Sequence, residues 1–419
     1  MKKRILALVL AAAMALGTTG CGLFTVQNES PADVAKDSIA NEFHKGSQES
    51  TIAEEDIEDA AAGVDSTPKE VRYQDDYYEY VNQNLLSKIE LAATDAHWDW
   101  FGELNAVVSS EMEDIIRELA GDGKTYEKGT PEQKIKDMYE CVSNTENREK
   151  TGLGPLKPYM DSIRNAKNID EYVDALAHLS SEFGFSSIVG GYYISQDKAD
   201  SSEYSVYMMY ADTLIGKEYI EGKETKEYVD MYLDYVNDML VEFGMSASEA
   251  AASTDSIETL LRDICASTLT TEQLYDPKIT YNVYTAKELQ QLYTNVDVDK
   301  MLKTLGVSGQ DKYIVIDVEQ AKKINSLLVE ENLQALKDYS SFVMLNDVAE
   351  YASSGYVKLH DKMQNSLYGI TESWGDEKIW MDLTQDLLPW DFGTIYVKEH
   401  FSQEDKEAVE AMIELILKE

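Results

Sequence analysis

Residues 98–121 read WDWFGELNAVVSSEMEDIIRELAG. Trp98, Phe101, Leu104, Val107, Val108, Met112, Ile115, Ile116 and Leu119 recur at helical steps, which places them on one face of a long amphipathic helix. Gly121 and Gly123 stop it, because glycine is a poor helix residue and a good terminator. Downstream, Thr130-Pro131-Glu132-Gln133 is a capping box with proline at the first helical position, where its missing N–H costs nothing. Ile135, Met138, Tyr139 and Val142 form the apolar face behind it. Asn168 with Glu171, Ser246 with Glu249, and Thr285 with Glu288 mark three more helix starts, the first carrying Tyr172, Val173, Leu176 and Leu179. Stretches 330–353 and 402–418 also read as helices. Two segments rich in Tyr, Val, Ile and Met, 188–194 and 204–210, read as strands around a polar loop, and 313–318 as a third. Strands and helices do not alternate, so a doubly wound sheet is not expected, and no internal repeat is visible. The fold class is mostly α, with a few short strands.

Composition bounds the partners. The 419 residues carry 78 Asp and Glu against 37 Lys and Arg, a formal net charge of −41, or −44 once Lys2, Lys3 and Arg4 are removed. Such a surface repels phosphate backbones and anionic lipid, which excludes nucleic acid as a partner. Hydrophobic residues make up 43%, enough for a real core, so the acid is a solvated exterior.

The first twenty residues order themselves as an export signal. Lys2, Lys3 and Arg4 precede an apolar run from Ile5 to Leu16, which is shorter than the roughly 20 residues a bilayer span needs. Gly17, Thr18, Thr19 and Gly20 then lead into Cys21, the arrangement of a bacterial lipoprotein signal cleaved before a lipidated cysteine. Thr18 departs from the larger aliphatic usual at that place, and a plain cleaved signal is the alternative. The expected organisation is a signal peptide over 1–20, a lipidated Cys21 heading an acidic, Ser- and Ala-rich tether over 21–72, and a folded part over 73–419. Localisation follows as exported and held on the outer face of the bacterial cell membrane. Cys141 and Cys265 remain, either as one disulfide or as two free thiols.

Chemistry is sparse. None of His44, His97, His178, His360 and His400 lies four residues from another, so no helical zinc pair exists. His178 and Glu182 have helical spacing but read as an exposed pair on a helix. Gly190-Gly191 runs into Tyr192-Tyr193 and not into a phosphate loop, and Gly102 has no nucleophile elbow around it. Asp75, Asp76 and Glu79 cluster carboxylates; favourable charge at a helix N-terminus explains them better than a cation site does. No catalytic or metal-binding residue is assigned.

The residues around that cluster carry a resemblance. Asp75-Asp76-Tyr77-Tyr78-Glu79-Tyr80-Val81-Asn82, then Leu85-Leu86, resembles the opening motif D-D-F-Y-x-Y-V-N-G-x-W-L of the neprilysin and endothelin-converting-enzyme family of zinc metallopeptidases, with Gln83 for the glycine and Leu85 for the tryptophan. Four further motifs follow in the family's order. They are Pro131-Glu132-Gln133-Lys134-Ile135 with Met138-Tyr139 and Cys141; Gly152-Leu153 with Pro155-Leu156; Tyr281-Asn282, Thr285 and Glu288-Leu289-Gln290; and Gly393, Ile395-Tyr396-Val397, Phe401-Ser402 and Lys406. Together they span the whole folded part.

The resemblance implies a helical N-terminal domain that covers the active site of a membrane-tethered endopeptidase acting on extracellular peptides. In the family the zinc is bound by H-E-x-x-H and a downstream Glu in the other half, and the Glu inside the motif is the general base. H-E-x-x-H occurs nowhere in this sequence, so no cofactor is expected on this stretch and it is expected to be inactive by itself. The implied partners are a zinc-bearing peptidase domain, a peptide substrate, and the membrane through lipid on Cys21. Some members place an Arg against the substrate's terminal carboxylate just before the first long helix; that position falls near His97, the one candidate substrate-facing residue. A packing histidine beside Trp98 and Trp100 is the other reading of His97. Animal members pair the cysteine at the Cys141 position with one near Trp380, and no cysteine stands there. The opening motif is expected to pack on the zinc-bearing half through Tyr77, Tyr78, Tyr80, Leu85 and Leu86. The alternative is a stand-alone, non-catalytic lipoprotein that binds peptides or a protein partner. A solute receptor of an importer would require the strand–helix alternation not seen here.

Overall fold

A computed structural model describes residues 71–185, 188–211 and 213–418. The signal, Cys21 and nearly all of the 21–72 tether lie outside the described residues. The chain forms two compact units: unit 1 from the segments up to Thr145 and from Tyr368 onward, and unit 2 from Glu146–Leu367. In unit 1 the longer helices of the first segment are α1 (Tyr77–Leu86), α2 (Trp100–Gly121) and α3 (Pro131–Val142). Those of unit 2 are α4 (Lys157–Arg164), α5 (Ile169–Phe183), α6 (Lys226–Glu242), α7 (Ala247–Cys265), α8 (Val318–Leu327), α9 (Leu333–Val348) and α10 (Ser354–Tyr368). The chain then returns to unit 1 as α11 (Asp376–Leu387), α12 (Pro389–His400) and α13 (Gln403–Lys418). The mostly helical fold expected from periodicity is the fold observed.

In unit 1 the core is the far half of the helix quoted above. Ile115, Ile116 and Leu119 of α2 are buried with Ile135 of α3, Met381 of α11, and Phe392 and Ile395 of α12. The near half of the apolar stripe is different: Phe101 is exposed and Leu104, Val107 and Val108 are only partly covered. Trp98 also lies before the helix, not in it. Asp99 is the better N-cap, its carboxylate accepting the N–H groups of Phe101 and Gly102 at 2.8 Å each, so the first turn starts at Trp100. The capping box on α3 closes one residue early. Thr130 Oγ1 accepts from Gln133 N, but Gln133 Oε1 accepts from Gly129 N at 2.9 Å and not from Thr130. Gly129 has φ +91°, a left-handed conformation that turns its N–H toward that side chain. The boxes at Ser246 and Thr285 close in full.

Unit 2 packs its helices on a four-stranded sheet of β1 (Tyr192–Gln196), β2 (Tyr204–Met208), β3 (Asn282–Tyr284) and β4 (Tyr313–Val315), in the order β1-β2-β4-β3. β1 and β2 are antiparallel, with Ile194 opposite Val206. β4 runs parallel to β2, with Ile314 opposite Tyr207, and the helices between them supply the long crossover a parallel pair needs. β3 closes the other edge antiparallel, Val283 opposite Ile314. The strand expected over 188–194 begins only at Tyr192; Ile188 and Val189 are buried in the core without pairing. β3 has no signature in the sequence, since three residues carry no legible alternation. The helical core centres on α5, α6, α7 and α9, where Phe342 meets Tyr232 and Tyr235 edge-on at 5.9 and 5.7 Å. Helix 330–353 is interrupted at both ends, by tighter turns at Glu330–Asn332 and Ala349–Tyr351. Cys141 is exposed and Cys265 buried, and both are free thiols.

Candidate functional site

The acidic opening cluster resolves into helix capping. Asp76 is the N-cap of α1, its carboxylate accepting Glu79 N at 2.9 Å, and Glu79 sits in the positive first turn. Asp75 is held by the Arg72 guanidinium through both oxygens. All three acids thus have local structural partners or positions.

His97 lies in the loop before α2 with its side chain 78% exposed, Nε2 3.3 Å from Asp99 Oδ2. It does not pack between the two tryptophans: those contact each other edge-on at 5.1 Å, and the Trp98 indole N–H donates to Glu103 Oε1 at 2.6 Å. Glu103 is buried, so this bond satisfies an acid that would otherwise be costly to bury. His178 and Glu182 both lie exposed on α5, as their spacing suggested. Among the described residues no group of three or more His, Cys, Asp or Glu is arranged to hold a metal ion.

The family-like motif residues occupy structural positions. Lys134 pairs with Asp391 of α12 at 2.9 Å while Ile135 beside it is fully buried. Tyr396 donates to Glu111 Oε2 at 2.6 Å, joining α12 to α2. Asn282 Nδ2 donates to Ile279 O and Val315 O, holding β3 to β4. Gln290 donates to Tyr293 O and Val296 O and accepts from Val298 N, fastening a whole loop. Ser402 and Asp405 cap α13 reciprocally. Tyr281 belongs to a buried cluster that the motifs alone did not reveal. Asp197, with no exposed side-chain surface, accepts from Tyr281 Oη and Ser205 Oγ at 2.7 Å and from Lys312 Nζ at 2.6 Å. These donors hold its carboxyl far below the usual carboxylate range, the Lys312 ammonium foremost. Asp197 and Lys312 stand 115 positions apart, so no local pattern in the sequence could pair them.

Unit 1 leaves apolar surface uncovered on its first and last helices, and also at Trp390, Val397, Leu387 and Phe101. On α1, Tyr77 and Tyr78 are 69% and 67% exposed and only Leu85 is buried, while Tyr80 and Leu86 are partly covered. On α13, Val409, Met412, Ile413 and Ile416 form a stripe at i, i+3, i+4 and i+7, yet Asp405 is its only buried residue. Ile413, Leu415, Ile416 and Leu417 are all exposed, Leu417 to 81%.

The motifs that fasten these helical units define a class: the N-terminal region of a metallopeptidase family. Residues 73–419 match the profile of peptidase family M13, and the chain belongs to that family. The neutral endopeptidase of Lactococcus lactis subsp. lactis is 24% identical over 363 residues, 83% of this chain and 55% of that protein. Mouse neprilysin is 19% identical over 388 residues, 85% and 51% respectively. Among solved structures, the inhibitor complex of the Mycobacterium tuberculosis zinc metalloprotease Zmp1 superposes with a TM-score of 0.72 at 21% identity, covering 82% of this chain and 52% of that one. PepO from Lactobacillus rhamnosis gives 0.68 at 16% identity, covering 83% and 55%. At these identities the superpositions establish architecture only. The chain spans about half the length of each of these relatives.

Proposed function

We propose that residues 73–419 are the substrate-covering half of a zinc-dependent endopeptidase tethered to the outer face of a bacterial membrane by lipid on Cys21, and that this stretch alone hydrolyses no peptide. The observation that carries the reading is the family match over 73–419 combined with the lack of H-E-x-x-H in the sequence. A peptidase of this class needs two histidines and an acid on one metal to polarise a carbonyl and activate water. A zinc-bearing half would supply that set. The residues of this chain would position and enclose the peptide. His97, exposed at the head of α2, is the residue proposed to face substrate; its imidazole lacks the planar fork with which an arginine grips a terminal carboxylate. The exposed apolar faces of α1 and α13 support the reading, because surface of this kind marks an interaction site.

The test is direct. The purified chain should retain no stoichiometric zinc and should cleave no neprilysin-type peptide substrate with zinc added. Stoichiometric zinc together with chelator-sensitive cleavage would overturn the proposal.

A further inference from the structure

Unit 2 holds a cleft of about 500 Å³ lined by Arg164, Phe243, Met245, Glu249 and Asp338, among others. It lies where the C-terminal end of α4, the turn after α6, the first turns of α7 and the start of α9 converge. One of its charged groups lacks a partner that burial normally demands, and a second is buried against neutral donors. The Arg164 Nη1 group is buried and makes no hydrogen bond, although its guanidinium lies 5.1 Å from the Phe243 ring centre. Among the described residues no carboxylate pairs with it, in a chain where acids outnumber bases about two to one. A buried guanidinium N–H without an acceptor is costly, so the position is best explained by an acceptor that arrives from outside. Asp338 is only 4% exposed. Ser253 Oγ and Gln334 Nε2 donate one hydrogen bond to each of its oxygens, at 2.8 and 2.9 Å. These bonds fix the carboxylate but do not neutralise it, and its oxygens keep acceptor capacity.

We propose that this cleft binds a small zwitterion with an apolar side chain, a free amino acid or a dipeptide. Its carboxylate meets Arg164, whose planar fork matches that group. Its ammonium lies against the Asp338 carboxylate, with Glu249 adding negative potential. Its side chain covers Phe243 and Met245. The mixed charge of the lining argues against a plain anion, which Asp338 and Glu249 would repel, and against a plain cation, which Arg164 would repel. The volume suits one or two residues and not a long peptide. The inference stands on unit 2 alone and needs nothing from a zinc-bearing half.

The experiment is calorimetric titration of the full chain with L-leucine and glycyl-L-leucine, set beside leucinamide, which lacks the carboxylate, and 4-methylpentanoate, which lacks the ammonium. Saturable binding of at least one zwitterion is expected, about tenfold or more tighter than either single-charge analogue, because a site built for a polar group rejects the analogue without it. Arg164→Gln should weaken zwitterion binding, abolish the preference over leucinamide and leave the helical circular dichroism unchanged. Should Arg164→Gln fail to fold, the ligand series on the wild-type chain decides by itself. No saturation by either zwitterion at about 10 mM, a range in which even weak millimolar sites begin to fill, would overturn the proposal. So would equal binding of leucinamide or 4-methylpentanoate, or undiminished binding by folded Arg164→Gln.

Discussion

Gln320 stands in for a missing strand neighbour. Fully buried on α8, it accepts the Ala211 N–H through Oε1 at 2.7 Å and donates to Ala211 O through Nε2 at 3.1 Å, with Thr268 Oγ1 as a further acceptor at 2.9 Å. Gln320→Leu keeps the volume but strips two backbone groups of their partners. It should destabilise the fold by about 2–4 kcal/mol in denaturant titration, the penalty for one or two buried groups left unsatisfied; an unchanged midpoint would mean that water or local rearrangement replaces the amide. Asp197 gives a pH signature. Its carboxyl is depressed by Lys312, Tyr281 and Ser205, so its stabilisation is fully present above the ordinary carboxylate pKa near 4 and is lost as pH falls below that toward the folded value. Asp197→Asn should therefore unfold at lower temperature than wild type at pH 7, with the gap narrowing in melts below about pH 4. A gap constant across that range would refute the assignment. Outside the described residues, Cys21→Ser should leave the membrane fraction or remain unprocessed, since an acidic surface offers anionic lipid no electrostatic hold; correct cleavage with full membrane retention would count against a lipid anchor.

The helix starts tested the sequence grammar most closely. Ser246 and Thr285 lie where S/T-x-x-E predicted them, and both boxes close, because each motif carries its own hydrogen-bond partners within four residues. Thr285→Ala should cost about 1 kcal/mol, read by thermal or chemical unfolding; no loss would show that the rest of the cap carries the turn. Gly222, between the short helix Lys217–Glu221 and α6, is a different case. A Cβ there would sit 2.6 Å from Glu218 O and closer still to Thr225 Oγ1, which is itself bonded to Tyr219 O. Gly222→Ala should destabilise by about 1–3 kcal/mol through overpacking against backbone, whereas a neutral result would show that the loop yields. Strand β3 and the early end of the buried half of α2 were not legible. Three residues cannot display a period of two, and an apolar stripe such as Phe101 to Leu119 says which face is greasy without saying how far along it partners reach. The pairings of Asp197 with Lys312 and of Gln320 with Ala211 were equally hidden, because each joins positions more than a hundred residues apart. Spacing alone excludes the histidines as a helical zinc pair, whereas the exposure of His97 is set by the fold around it.

At the scale of the molecule, family membership rests on motifs that fasten helices and strands, and the two units differ in how completely they enclose their apolar surface. Unit 2 gathers α5, α6, α7 and α9 around fully buried Tyr172, Tyr339 and Phe342. Unit 1 buries α2, α3, α11 and α12 together but leaves α1 and α13 with one buried side chain each. Amides on elements with few buried contacts open locally at low free energy, while those in a packed core open only with the whole unit. Hydrogen exchange on the purified monomeric chain therefore tests the central claim, that residues 73–419 are a covering half whose first and last helices await a partner surface. The account predicts fast exchange from Tyr73 to about Leu91 and along Gln403–Lys418, against slow exchange in Lys226–Glu242, Ala247–Cys265 and Leu333–Val348. Protection of α1 and α13 as strong as that of α7 would contradict it, since the chain would then be closing those faces by itself.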